Sequence, residues 1–179
     1  MIDLIKQFEA VPAYYPSAPP GLSTDAAALD ASMIWARIEA YTAYRFTVRE
    51  VVWTLSGDGG DEFHPRLTPI VSFVSHVWAS SAWEAVTLED GPLGVCLPVD
   101  GIYRITAQVG AGDVPAPIFE AFRRLAEYLA PGEHNPGASA FKMDLGPMAN
   151  EETRAPTWVA RAMQLSGAAD LLRPYRRVQ

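Results

Sequence analysis

The hydrophobic period of this chain changes twice, and that restricts the fold more than any single motif. Ala27, Ala31, Ile34, Ile38 and Tyr41 recur at helical spacing, whereas from Arg45 to Val109 the pattern shifts toward alternation. Helical spacing returns with Ile118, Phe122, Leu125 and Leu129. Neither an all-helical nor an all-strand core satisfies both periods. The stretch RFTVREVVWTL is rich in β-branched and aromatic residues, and IVSFVSHVWA, AWEAVTLE, GVCLP and GIYRITAQV supply four further strand candidates. GDGG, SSA, EDGPLG and VDG lie between them as turns. These links are too short for crossover helices, so the strands are expected to pair antiparallel. The expected class is α+β: a small helical bundle, made of an N-terminal helix and C-terminal helices, with an inserted antiparallel β-sheet.

The boundaries follow from local chemistry. Residues 1–23 read as an extended arm, because Pro12, Pro16, Pro19 and Pro20 remove donors and disfavour helix in their predecessors. Residues 24–166 read as one domain. In it, Thr24 caps a helix over 24–44 with Asp25 near the positive end of the helix dipole, and residues 45–109 form the β insertion. Pro117 suits the first turn of a helix over 117–130, where its missing N–H costs nothing, and Glu120 and Arg124 pair on the wet side. Residues 131–156 keep no period and read as a long loop ordered by neighbours in an assembly, since structureless loops of that length are uncommon in compact domains. Pro156 opens a helix over 157–166, with Trp158, Ala162 and Leu165 on one side. Gly167 stops it, leaving a tail at 167–179.

Charge and cysteine content exclude several functions. The 179 residues carry 14 basic and 21 acidic side chains, a net charge of −7. A protein that grips DNA through its phosphates needs clustered Lys and Arg, so a dedicated DNA binder is not expected. The single cysteine, Cys96, rules out an intrachain disulfide or a cysteine-cluster metal site and reads as a small buried residue. Asp3, Lys6 and Glu9 interrupt the N-terminal apolar stretch, so no signal-peptide core is expected there. No segment approaches the ~18 uninterrupted apolar residues of a membrane span. The expectation is a soluble protein made in a bacterial cytoplasm, with no membrane partner.

Several motifs look chemical, and each has a plainer reading. Gly59–Phe63 spells GGDEF, the signature of the diguanylate cyclases, in which the acidic residues serve metal and nucleotide chemistry. Here His64-Pro65 follows at once, and proline interrupts a central strand, so an acidic turn is the better reading. Gly110-Ala111-Gly112 sits between strand and helix as a dinucleotide-binding turn does. It lacks the third glycine, and Pro115 and Pro117 crowd the place where amides should face a pyrophosphate. His64, His76 and His134 are scattered without ligand spacing, and Ser75 and His76 would point to opposite faces of a strand. No catalytic, cofactor-binding or metal residue is assigned, and the chain reads as a non-enzyme. Trp35, Trp53, Trp78, Trp83 and Trp158 read first as core, with an interface role open for Trp78 and Trp83. In the tail, Arg173, Arg176 and Arg177 beside Leu171, Leu172, Pro174 and Tyr175 fit either a solvated end or a peptide that docks on a partner.

Four pieces occur in order: IEAYTAYRF, LTPIVSFVSHVW, YRITAQVGAG with VPAPIFEAFRRLAEYLA, and SGAADLLRPYRR. From Thr24 to Arg177 the chain resembles the head–tail connector (adaptor) proteins of long-tailed phages and phage-derived gene transfer agents. The resemblance implies a structural protein of the particle neck, needing no cofactor. It also implies a ring, twelvefold in that family, that joins the portal protein to a stopper or tail-completion protein. DNA crosses the hole without sequence-specific binding. The C-terminal segment engages the portal in that family, which marks Leu171, Leu172, Arg173, Pro174, Tyr175, Arg176 and Arg177 as the expected portal-binding residues. Two alternatives stand beside this reading. One is another joining protein, a stopper or tail terminator, which would be more wholly β; the other is a nucleotide enzyme using the GGDEF turn.

Overall fold

The computed structural model describes residues 1–130, 138–143, 150–154 and 159–176. The chain forms two compact units. One joins Met1–Pro16 to Ala43–Asp113, and the other joins Ser17–Thr42 to Val114–Arg176.

The first unit holds the strands β1 (Asp3–Glu9), β2 (Arg49–Gly57), β3 (Glu62–Phe63), β4 (Ile70–Ala79), β5 (Ala82–Ala85), β6 (Glu89–Asp90), β7 (Val95–Cys96) and β8 (Gly101–Val109). Five of them make an antiparallel sheet in the order β1-β2-β8-β4-β5, and β3-β7-β6 make a second, smaller one. β2 and β8 pair without a break from Arg49↔Val109 to Gly57↔Gly101. Alternation turns Val51, Trp53, Leu55, Tyr103, Ile105, Ala107 and Val109 to one side, where all are buried. Phe63, Leu67, Leu88, Val95 and Leu97 complete that core. GVCLP therefore belongs to the small sheet that helps cover the core, not to the main sheet.

The N-terminal segment departs from the expected arm. Residues 3–9 are an edge strand on β2, with a register shift between Leu4 and Lys6. This half of the arm contains no proline, so nothing prevents it from donating to a ladder; the proline-bearing half after it forms neither helix nor strand. Glu9 then fastens the end of β1. Its carboxylate accepts from Arg45 Nε at 2.5 Å, Arg45 Nη2 at 2.9 Å and Arg49 Nη1 at 3.1 Å. Arg49 also donates to the Thr47 carbonyl and hydroxyl, and its guanidinium lies over the Tyr15 ring. Both arginines are buried, so the shared carboxylate offsets their desolvation.

The second unit holds α1 (Thr24–Ala27), α2 (Ala31–Thr42), α3 (Ala116–Leu129), the hairpin strands β9 (Ala138–Met143) and β10 (Asn150–Arg154), α4 (Ala162–Leu165) and α5 (Ala168–Leu172). A 3-10 turn, Arg173–Tyr175, follows. The helix expected over 24–44 is two helices. The cap is Ser23, one residue earlier than expected: its hydroxyl accepts from Ala26 N–H and donates to Glu127 at 2.7 Å, which Thr24 is not placed to do. Asp30 breaks the run, because its carboxylate takes the backbone N–H and hydroxyl of Ser32 and opens α2 separately. Trp35 packs on Phe122 and Phe119, and Ile34, Ile38, Ile118, Leu125 and Leu172 are fully buried. Each aliphatic side chain of that set contributes about 1.5–3 kcal/mol by leaving water.

The segment read as a loop over 131–156 contains β9 and β10, paired antiparallel from Ala138↔Arg154 to Met143↔Asn150. Its alternation is too short and too polar to stand out as a period. The helix expected over 157–166 is described only as α4; its expected start at Pro156 and Trp158, like His134, lies outside the described residues. Gly167 adopts φ 73°, a left-handed turn that ends α4 and lets α5 begin.

Burial alone would raise the pKa of Glu9, but the guanidiniums of Arg45 and Arg49 outweigh it and hold the carboxyl below the usual glutamate range. A depressed folded-state pKa gives stability that is complete above the unfolded value, near ~4.3, and lost as pH falls through the folded value. Glu9→Gln should therefore cost about 1–3 kcal/mol at neutral pH, and the gap from the parent should close in acid. Urea melts of both proteins at pH 7 and pH 3 check this; an equal gap at both values refutes it.

Candidate functional site

The residues marked for docking do not form one exposed tail. Ala168 and Leu172 are fully buried, and α5 packs against α3. Leu172 is thus a core residue of the helical unit in this conformation, while Leu171 is half-buried. Helical spacing separates the two: 168 and 172 lie one turn apart on the inner face. Arg173, Pro174 and Arg176 are exposed and Tyr175 is partly so; Arg177 lies outside the described residues. Arg173 bonds Asp170 at 3.2 Å on the surface, and Arg176 lies over the Tyr41 ring at 5.3 Å. The surface presented here combines Arg173, Pro174 and Tyr175 of the 3-10 turn with Arg176 just after it. Such a surface suits carboxylate or carbonyl acceptors on a protein partner.

The GGDEF letters carry no assembled chemistry among the described residues. Gly59 N–H donates to Asp100 Oδ1 at 2.7 Å, Gly60 N–H to the Leu97 carbonyl at 2.7 Å, and Leu97 N–H to the Asp61 carbonyl at 2.8 Å. The motif is a turn stitched to the loop before β8. Glu62 accepts the backbone N–H groups of Leu93 and Gly94, the latter at 2.5 Å, and so closes the turn between β6 and β7. β3 stops at Phe63, immediately before His64-Pro65. No group of three or more His, Cys, Asp or Glu among the described residues is placed to hold a metal ion.

The other motifs resolve as simply. Gly110 has φ 110° and sits against the Thr47 carbonyl, so it is a tight exit from the sheet. Ser75 is buried and donates to the Val86 carbonyl at 2.6 Å, while His76 pairs across from Arg104 on the opposite face. Cys96 is partly exposed in β7, not fully buried as expected. Trp35 and Trp53 are core, but Trp78 is 45% exposed and meets Trp83 edge-on at 5.1 Å, with Arg104 over the Trp83 ring. Strand parity was the signal for that division: Trp78 and Trp83 face each other across β4 and β5, on the side of the sheet away from the core.

The sequence matches no family model and no curated protein. The fold does match a solved one. Over 100% of this chain and 96% of the other, it superposes on a protein from the virion of a native gene transfer agent (GTA) particle, at 20% identity and TM-score 0.55. The chain has the fold of a GTA virion protein. Chains from the neck of a native GTA particle computed with C12 symmetry (18% identity, 83% of this chain and 80% of that one, TM-score 0.46) and from the neck of an empty GTA particle computed with C6 symmetry (18%, 100% and 96%, 0.47) are more distant. The GTA-like fold includes both the strand unit and the helical unit, since the alignment spans the whole chain.

Two substitutions test these assignments. Leu172→Ala should cost about 2–5 kcal/mol in a denaturant melt, as a buried leucine does and a free docking anchor does not. Glu62→Gln should lower stability by about 1–2 kcal/mol, because a neutral amide oxygen is a weaker acceptor for the two backbone donors. Incubation of the parent protein with GTP and magnesium should yield no cyclic dinucleotide.

Proposed function

We propose that this chain is a structural head–tail adaptor of a phage-like particle, a subunit of a ring in the particle neck that joins the portal to the stopper or tail. The full-length likeness to a GTA virion protein carries this reading. The net charge of −7 is compatible with a channel that DNA crosses without adhering. The helical unit favours an adaptor over a stopper or tail terminator, which would be more wholly β. A closed ring requires a heterologous contact that repeats after a fixed rotation, and many identical weak contacts to one portal ring add up through avidity. The docking residues are Arg173, Pro174, Tyr175 and Arg176 with Leu171, followed by Arg177; Leu172 holds the helix that carries them.

Removing the whole segment 167–179 would also remove Ala168 and Leu172 from the core, so a surface change is the sharper test. The double variant Arg173→Glu, Arg176→Glu should keep the parent's melting temperature. Expressed in place of the parent in cells that make the particle, it should yield DNA-filled heads without tails by electron microscopy. Normally tailed particles would refute the docking assignment. Normal particles from cells lacking the chain altogether would refute the adaptor role.

A further inference from the structure

The outer edge of the main sheet is covered over only part of its length. β5 covers only His76–Ala79 of β4, and one more backbone bond, Val86 N–H to the Ser75 carbonyl, extends that pairing. Backbone groups of alternate residues point to the same side of a strand, so Phe73 presents its N–H and C=O to this edge as Ser75 does. Beyond Ser75 the chain after β5 diverges from β4, leaving a groove between residues 73–76 and 85–88. The uncovered stretch, Ile70 to Val74, has no charged residue, and Val71 and Val74 are 56% and 57% exposed. Pro69 and a bulge between Ile70 and Ser72 guard the start of this stretch, but from Ser72 to Val74 it carries neither a charge nor a covering strand, which leaves a template for another strand.

The same chain carries an unpaired counterpart. β9 and β10 form a two-stranded sheet that pairs with no other described strand. A lone hairpin of that size is at best marginally stable in water and gains from a third strand. Its two edges differ in composition. β9, ASAFKM, has no acidic residue, glycine or proline, whereas β10, NEETR, holds Glu151, Glu152 and Arg154. β9 fits a pairing edge and β10 fits a charged edge that ends a sheet. The six residues of β9 are enough to span the five uncovered residues of β4, Ile70 to Val74.

We infer that β9 of one copy of this chain adds to the open β4 edge of a second copy, extending the sheet to β5-flanked β4 and then β9-β10 of the neighbour. Each copy offers one hairpin and one edge at different places, so the contact is heterologous and propagates from subunit to subunit. This deepens the ring reading above by naming the subunit contact, but the test needs no particle.

Two single-cysteine chains, both carrying Cys96→Ser, separate the partners: one bears Ser72→Cys at the edge, the other Ala140→Cys in β9. Oxidised as an equimolar mixture at high concentration, they should give covalent heterodimer well above either homodimer by mass spectrometry. A chain bearing both cysteines should give a ladder of multimers. The charge-blocking variant Val71→Lys, Val74→Lys, at two exposed positions, should remove the heterodimer and any concentration-dependent association in light scattering. An intrachain disulfide in the doubly substituted monomer would overturn the inference, because the hairpin would then sit on its own edge. Homodimers equal to heterodimer, or association unchanged by the lysines, would also overturn it. If these fail while the Arg173 and Arg176 variant still blocks tail joining, the adaptor reading stands without this contact.

Discussion

The pairing of β2 with β8 is the constraint on which the strand unit depends. The two strands are distant in sequence, yet they meet in unbroken register from Arg49↔Val109 to Gly57↔Gly101. A slip of one residue would turn Trp53, Leu55, Tyr103 and Ile105 toward water, losing about 1.5–3 kcal/mol for each large side chain. With that register set, the other pieces have fixed places. β1 adds beside β2 and β4 beside β8, and the small sheet helps cover the core. The acidic turn at Gly59–Phe63 is held against the loop before β8 by the backbone bonds of Gly60 and Leu97.

The sequence disclosed the periods and therefore the class. Alternation over 45–109 marked β2, β4, β5 and β8, and the 3.6-residue stripe of Ile118, Phe122 and Leu125 marked α3. What it hid were features decided by single polar side chains or by distant partners. Asp30 splits a helix whose apolar stripe runs straight through it, because capping by a carboxylate outcompetes a weak continuation. β1 looked like part of an arm because its stabilising partners, Arg45 and Arg49, lie far along the chain, and no local pattern reveals a carboxylate shared between two buried guanidiniums.

The segment proposed for docking was legible in part. Its mixture of leucines and arginines signalled two roles, and helical geometry divides them between neighbouring residues: Leu172 goes inward with Ala168, and Arg173 goes outward. A reading of composition alone assigns both to the same surface. The same lesson applies to the tryptophans, where parity along β4 and β5 rather than residue type decides that Trp78 and Trp83 stand on the far side of the sheet from Trp53.

The stacking of Arg176 on Tyr41 has a thermodynamic consequence for the surface formed around the 3-10 turn. Tyr41 belongs to α2, so the last described residues are anchored to a helix laid down early in the sequence as well as to α5. A surface tied at two points has its side chains placed before any partner arrives. Any contact made by that surface would then surrender less conformational freedom than one made by a loose peptide.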